Sequence, residues 1–172
     1  MPVDFGDVAA AKQGRLRYDH YSDILSLWAS GLITVEIENS VLRLCASNGA
    51  QTHLKTARTD KTCNSGTGTV TLTGAIPAGA FVYAVTARVT TILAGASLTT
   101  WKIGDGSTVD LWATGVALAA GTVVNQTAHK STWTPTYYAS AQDVVFTAAA
   151  GQFDSGVVTV MVHYLSCTGP TV

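Results

Sequence analysis

From Thr62 to Val172 the sequence holds three basic residues (Arg88, Lys102, Lys130), four acidic ones (Asp105, Asp110, Asp143, Asp154) and 21 threonines. An ordinary soluble domain is about one-quarter charged. With so few charges, hydroxyls and glycines must cover the surface. Threonine and valine are stiff at χ1 and suit a pleated, half-buried surface. The stretch therefore reads as a β domain with a nearly neutral skin. Few charges also leave little repulsion between copies, which suits a protein that lives in an assembly.

Charge divides the chain in two. Residues 1–61 hold seven of the ten Lys+Arg and seven of the eleven Asp+Glu. They read as an N-terminal arm or sub-domain making polar contacts, and residues 62–172 as a compact β body. A chain of 172 residues can bury a sizeable core without disulfides. The formal charge of −1 supplies no basic field, so nucleic acid is not an expected partner. No apolar run approaches the ~18–20 residues of a membrane span. The N-terminal MPVDFGDVAAAKQGR lacks the apolar segment of a secretory signal. The chain is expected to be intracellular when made. Cys45, Cys63 and Cys167 show no CxxC or metal-like spacing and read as free thiols in a reducing compartment.

Along the N-terminal part, Asp19–Ser30 (DHYSDILSLWAS) fits a short helix. Asp19 stands at the N-cap, Gly31 at the stop, and Ile24, Leu27 and Trp28 share a face. Leu32–Glu38 alternates as a strand, with Ile33, Val35 and Ile37 to one side and Thr34, Glu36 and Glu38 to the other. Asn39-Ser40 is a possible turn, which would make Val41–Cys45 the hairpin partner. Gln51–Gly68 is polar and reads as a linker or long surface loop. In the body, period-2 alternation predicts strands over 69–73, 81–93, 99–103, 143–147 and 157–165, with turn signals between them. The expected core is Val70, Leu72, Tyr83, Val85, Val89, Val144, Phe146, Val158, Val160 and Val162. The fold class is mainly β: an antiparallel β-sandwich or jelly-roll-like body with a small N-terminal arm.

Chemistry is sparse. His20, His53, His129 and His163 have no close His or Cys partner, as compact zinc sites need. His163 reads as a hydrogen-bonded or solvated structural residue. Glu36 and Glu38 lie about 7 Å apart on a strand. A carboxylate pair can serve glycoside hydrolysis, but the solvated face of an amphipathic strand explains them as well. GDGSTVD around Asp105 and Asp110 has too few oxygen ligands for a calcium loop and reads as a turn. No GxSxG, phosphate-binding glycine loop or HExxH is present. The reading is of a non-enzyme with no cofactor and no metal. Trp101, Trp112, Trp133, Tyr137 and Tyr138 form the one notable cluster. Such aromatics can fill the core, form a subunit interface or bind sugar. Pro135 makes Trp133, Tyr137 and Tyr138 a loop or edge, the candidate subunit-interface or glycan-contact residues.

Three segments carry a resemblance: IPAGAFVYAVTARVTT (76–91), WKIGDG (101–106) and DVVFTAAAGQFDSGVVTVMVHYL (143–165). Together they resemble a β-sandwich module of tailed-bacteriophage virion proteins. Similar modules occur in head decoration and head-fibre proteins, tail-fibre tips and gene transfer agent head spikes. The resemblance covers about residues 67–166. It implies a structural virion component on the capsid exterior. The implied role is a capsid decoration (cement) protein that binds the major capsid protein and itself, as a homotrimer. The other role it implies is a fibre module that recognises host glycans. Residues 1–61 then read as the capsid anchor. Lys12, Arg15 and Arg17 lie close in sequence to Asp4, Asp7, Asp19 and Asp23, a mixed charge suited to specific docking. Val3, Phe5, Val8, Leu16 and Tyr18 are the apolar anchors. The candidate capsid-contact set is Val3, Phe5, Lys12, Arg15, Leu16, Arg17 and Tyr18.

Overall fold

The computed structural model describes residues 3–5, 14–29, 32–38, 41–45 and 50–169. These are mainly antiparallel strand. Contacts divide the chain into an N-terminal unit, Met1–Thr56 with Leu165–Val172, and a body, Ala57–Tyr164.

The N-terminal unit is built from β1 (Val3–Phe5), β2 (Gly14–Asp19), β3 (Ile24–Ala29), β4 (Leu32–Glu38), β5 (Val41–Cys45) and the first part of β6 (Gln51–Thr62). Each strand pairs antiparallel with the next. The expected pairing of β4 with β5 is present, with Glu38 opposite Val41. Asn39-Ser40 lies outside the described residues.

Two expectations fail here. The segment Asp19–Ser30 is no helix: residues 20–23 turn and β3 follows. Asp19 does cap, but it caps a turn, its Oδ1 accepting the Tyr21 N–H at 3.0 Å. Six residues of ILSLWA cannot separate a 3.6 period from a period of two. Ladder bonds to β2 and β4 on either side decide for strand. Nor is 51–68 a loop throughout, because Gln51–Thr62 is β6. Leu54 and Ala57 are its only apolar residues, one on each face, so no alternation marks it. Backbone pairing with β5, Leu54 opposite Leu42 and Thr52 opposite Leu44, holds it extended.

The body adds β7 (Thr69–Ile76), β8 (Ala80–Ala94), β9 (Trp101–Gly104), β10 (Ala113–Val116), β11 (Val123–Val124), β12 (Thr136–Tyr138), β13 (Gln142–Ala148) and β14 (Ser155–Thr168). One sheet runs β10-β9-β13-β7. In the other, β8 lies between β14 on one side and β11 on the other, and β12 also pairs with β8. Their inner faces meet as a sandwich. Val70, Leu72, Val144 and Phe146 come from the first sheet; Val85, Val89, Val158, Val160 and Val162 come from the second. None of these is more than 4% exposed.

Tyr83 is the one residue of the expected core that the core omits; it is half-buried. Along β8, Ala80, Val82 and Ala84 are buried, then Val85, Ala87 and Val89. One strict alternation from 81 to 89 would require Tyr83 and Val85 on one face. The strand instead slips phase between Ala84 and Val85. β12 takes the segment before the slip, Ala80–Val82, and β11 takes Ala87-Arg88 after it. Such a slip re-aims side chains within a long strand. Tyr83 is left beside His163, ring centroids 6.0 Å apart. At the expected turn after Gly104, Asp105 Oδ1 accepts the N–H groups of Ser107 and Thr108 at 3.1 and 2.8 Å.

Candidate functional site

The register of the N-terminal sheet gives it two unlike faces. One carries the rows Leu16–Leu27–Val35–Leu44 and Tyr18–Leu25–Ile37–Leu42–Leu54. The other carries Arg17–Ser26–Glu36–Arg43–His53. Burial inverts the usual order. Ile37 and Leu44 are each 49% exposed, whereas Glu36 is 8% and Ser26 6% exposed. Glu36 is therefore not on a solvated face, as the alternation had suggested. Its Oε2 accepts from the Arg43 guanidinium at 2.6 Å. Arg17, Asp19, Ser26 and Trp28 share with it a concavity of about 110 Å³. Long side chains can fold over their neighbours on that face; short aliphatic ones on the other cannot.

This pair sets a first prediction. Arg43→Ala leaves the Glu36 carboxylate poorly compensated. Removing one member of a fully buried pair costs roughly 3–5 kcal/mol. Arg43 keeps 27% of its side chain exposed, so the expected loss is smaller, about 2 kcal/mol. Replacing both residues by leucine should cost less than the single change. Urea unfolding of both variants checks this.

The candidate capsid-contact residues are distributed over this sheet. Val3 and Phe5 lie in β1, opposite Leu16 and Gly14. Arg15 lies in β2, opposite Asp4 and Trp28. Lys12 is outside the described residues. Leu16 is half-buried and Tyr18 exposed, both on the apolar face. Arg17 is on the other face, paired with Asp19 at 3.3 Å. Tyr18 donates its hydroxyl hydrogen to Asp23, which raises the phenol's pKa, and its ring meets His20 edge-on at 4.6 Å. The turn so fixed leaves Tyr21 fully exposed. The structure thus joins Leu16 and Tyr18 to Ile37, Leu42, Leu44 and Leu54, which the sequence reading had not placed in a contact surface. The alternation in LITVEIE and VLRLC was the available signal for three of them.

The aromatic cluster divides. Trp101 and Trp112 are fully buried. Trp133 and Tyr138 are half-buried against the body core. Burial, and then the Asp105 charge, raise the pKa of Tyr138. Tyr137 is 62% exposed on β12. Trp133 meets His129 edge-on at 4.8 Å, and His129 Nε2–H donates to the Val85 carbonyl at 2.7 Å. With Gln126, Lys130 and Pro135 they line a concavity of about 240 Å³.

A larger concavity in the body, about 390 Å³, is lined by Thr86, Arg88, Asn125, Thr159, Met161 and His163 among others. His163 is hydrogen-bonded to Thr86 Oγ1 at 3.1 Å, and burial lowers its pKa. Thr159 donates to Asp60 at 2.5 Å, which holds that carboxylate below its usual range. These bonds give Thr86, His163 and Thr159 structural roles. Among the described residues, no three His, Cys, Asp or Glu side chains converge as a metal centre. The three cysteines are free thiols, and burial pushes Cys63 up to about 11. No helix among the described residues is long and apolar enough to cross a membrane. No protein-family model matches this chain, and no curated protein matches it.

Proposed function

We propose that this chain is a structural virion protein of a tailed bacteriophage, made in the host cytoplasm. In this reading it is a capsid decoration protein, which binds the outside of the head as a homo-oligomer and adds contact area between capsomers. It acts through surfaces and performs no catalysis. One observation supports this reading most: the N-terminal sheet holds apolar side chains such as Ile37 and Leu44 half in water while Glu36 on its other face is buried. Such a face is suited to protein contact. The fixed β2–β3 turn, with Tyr21 at its tip, and the β1 edge are the parts assigned to the shell. The resemblance of 76–91, 101–106 and 143–165 to phage virion sandwiches supports the same assignment.

A second reading, a head- or tail-fibre module that binds host glycans, draws on Tyr137. An exposed tyrosine near a concavity lined by Trp133, Gln126 and Lys130 has the composition of a sugar platform. Copy number separates the two. Particles purified from a strain carrying the gene should contain the chain in amounts comparable to the shell protein. Particles lacking it should lose their contents at lower temperature. A trace copy number with glycan binding supports the fibre module; absence from particles defeats both readings.

A further inference from the structure

We infer that the apolar face of the N-terminal sheet is the interface between copies of this chain. Tyr18, Ile37, Leu42, Leu44 and Leu54 are 44, 49, 36, 49 and 39% exposed and belong to one row of paired strands and its neighbour. Strands lie about 4.8 Å apart, so these side chains touch one another and form a continuous patch. With Leu27, 46% exposed, the patch offers roughly 500 Å² of apolar surface. That is the upper end of what monomeric proteins leave in water. Two such patches in contact remove about 1,000 Å², the size at which an interface becomes specific.

The chemistry of the patch selects a second copy over a foreign protein. Among the described residues of these two rows there is no charged side chain, and the Asp23 carboxylate beside Tyr18 is taken up by its hydroxyl. A foreign partner is chosen and oriented largely by complementary charge, and the charges of this sheet are on the opposite face, in the pairs Arg43–Glu36 and Arg17–Asp19. An aliphatic sheet face is complementary to itself. Two like-twisted sheets pack with their strands about 30° apart, side chains interleaved across ~10 Å. The same patch then serves both partners, as the two-fold axis of a dimer requires. The interface so assigned is the N-terminal sheet rather than the charge-poor body or the region of Trp133, Tyr137 and Tyr138.

This inference deepens the proposed function by naming the self-contact, but its test needs only the isolated full-length protein. Sedimentation velocity should show a dimer at micromolar concentration. Leu44→Glu should give monomers. Ile37→Thr with Leu44→Thr keeps strand-forming residues and should weaken association at least about tenfold, with circular dichroism confirming the fold. Ile92→Glu alters a body residue that is 58% exposed and should leave the oligomer intact. A wild-type monomer, or an oligomer indifferent to the threonine pair, overturns the inference. Either result leaves the particle test of decoration standing. An oligomer of the expected kind that is absent from particles does the reverse.

Discussion

Trp101→Ala is expected to lower the stability of the body by about 3–5 kcal/mol, the range for emptying a large aromatic site in a packed core. Trp101 is fully buried. Its ring meets Phe146 edge-on, centroids 5.0 Å apart, an arrangement worth ~0.5–1.5 kcal/mol beyond area. Its Nε1–H donates to the Ala117 carbonyl at 3.1 Å. The residue lies at the start of β9, opposite Ala148 of β13 and Val116 of β10. Truncation therefore opens a cavity between three strands and strips a carbonyl of its donor. Trp101→Phe separates the two effects: it keeps most of the apolar contact and loses the hydrogen bond, for about 1–2 kcal/mol. Urea titration followed by far-ultraviolet circular dichroism gives both values. A loss under about 1 kcal/mol for alanine would mean that this end of the sandwich is not packed as described.

The core of the sandwich was legible because its strands alternate with aliphatic residues that must be inside. Val158, Val160 and Val162 are an instance, and so are Val144 and Phe146. Tyr83 was misplaced by the same rule, since alternation carries no sign of a phase slip within a long strand. The strand at 51–62 was invisible for the opposite reason: each of its faces carries a single apolar residue, Leu54 or Ala57, and pairing with a neighbour holds it. β11 and β12 span two and three residues, too few for any period. For the candidate site, Leu16 and Tyr18 could be picked as apolar residues among charges. Alternation marks Ile37, Leu42 and Leu44 as an apolar face and is silent on what covers that face. Tyr137 and Tyr138 make the point locally. They are adjacent in sequence, and β12 turns one outward and the other against the core.

Glycine in this sequence punctuates turns, and in one place it does more. Two turns of the body pass backbone against backbone. Gln152 N–H donates to the Ala96 carbonyl at 3.2 Å, and Asp154 N–H donates to the Ala94 carbonyl at 2.8 Å. The Asp154 carboxylate accepts the Ala96 N–H at 3.0 Å. Contact this close leaves no room for a side chain on either partner. A Cβ at Gly95 would lie 1.7 Å from the Gln152 carbonyl oxygen, and one at Gly151 would lie 1.9 Å from that of Ala96. Neither obstacle is a flexible side chain, so a methyl group must push the two turns apart and break the bonds between them.

Gly151→Ala is accordingly expected to cost about 3 kcal/mol or more. Gly151 has φ +75, a conformation that costs an alanine ~1–2 kcal/mol by itself, and overpacking adds roughly 1–3 kcal/mol. Two companion variants separate these causes. Gly121 has φ +89 and nothing within 4 Å of a built Cβ, so Gly121→Ala should show the conformational cost alone, about 1–2 kcal/mol. Gly95→Ala should show the steric cost. Because Gly95 and Gly151 guard the same contact, the double variant should lose less than the sum of the two single losses. Denaturant midpoints for the four proteins decide the matter. If Gly151→Ala is no worse than Gly121→Ala, the turns are not in contact and the interlock is wrong. If Gly151→Ala is worse and the double variant is sub-additive, one shared backbone contact holds the two turns together.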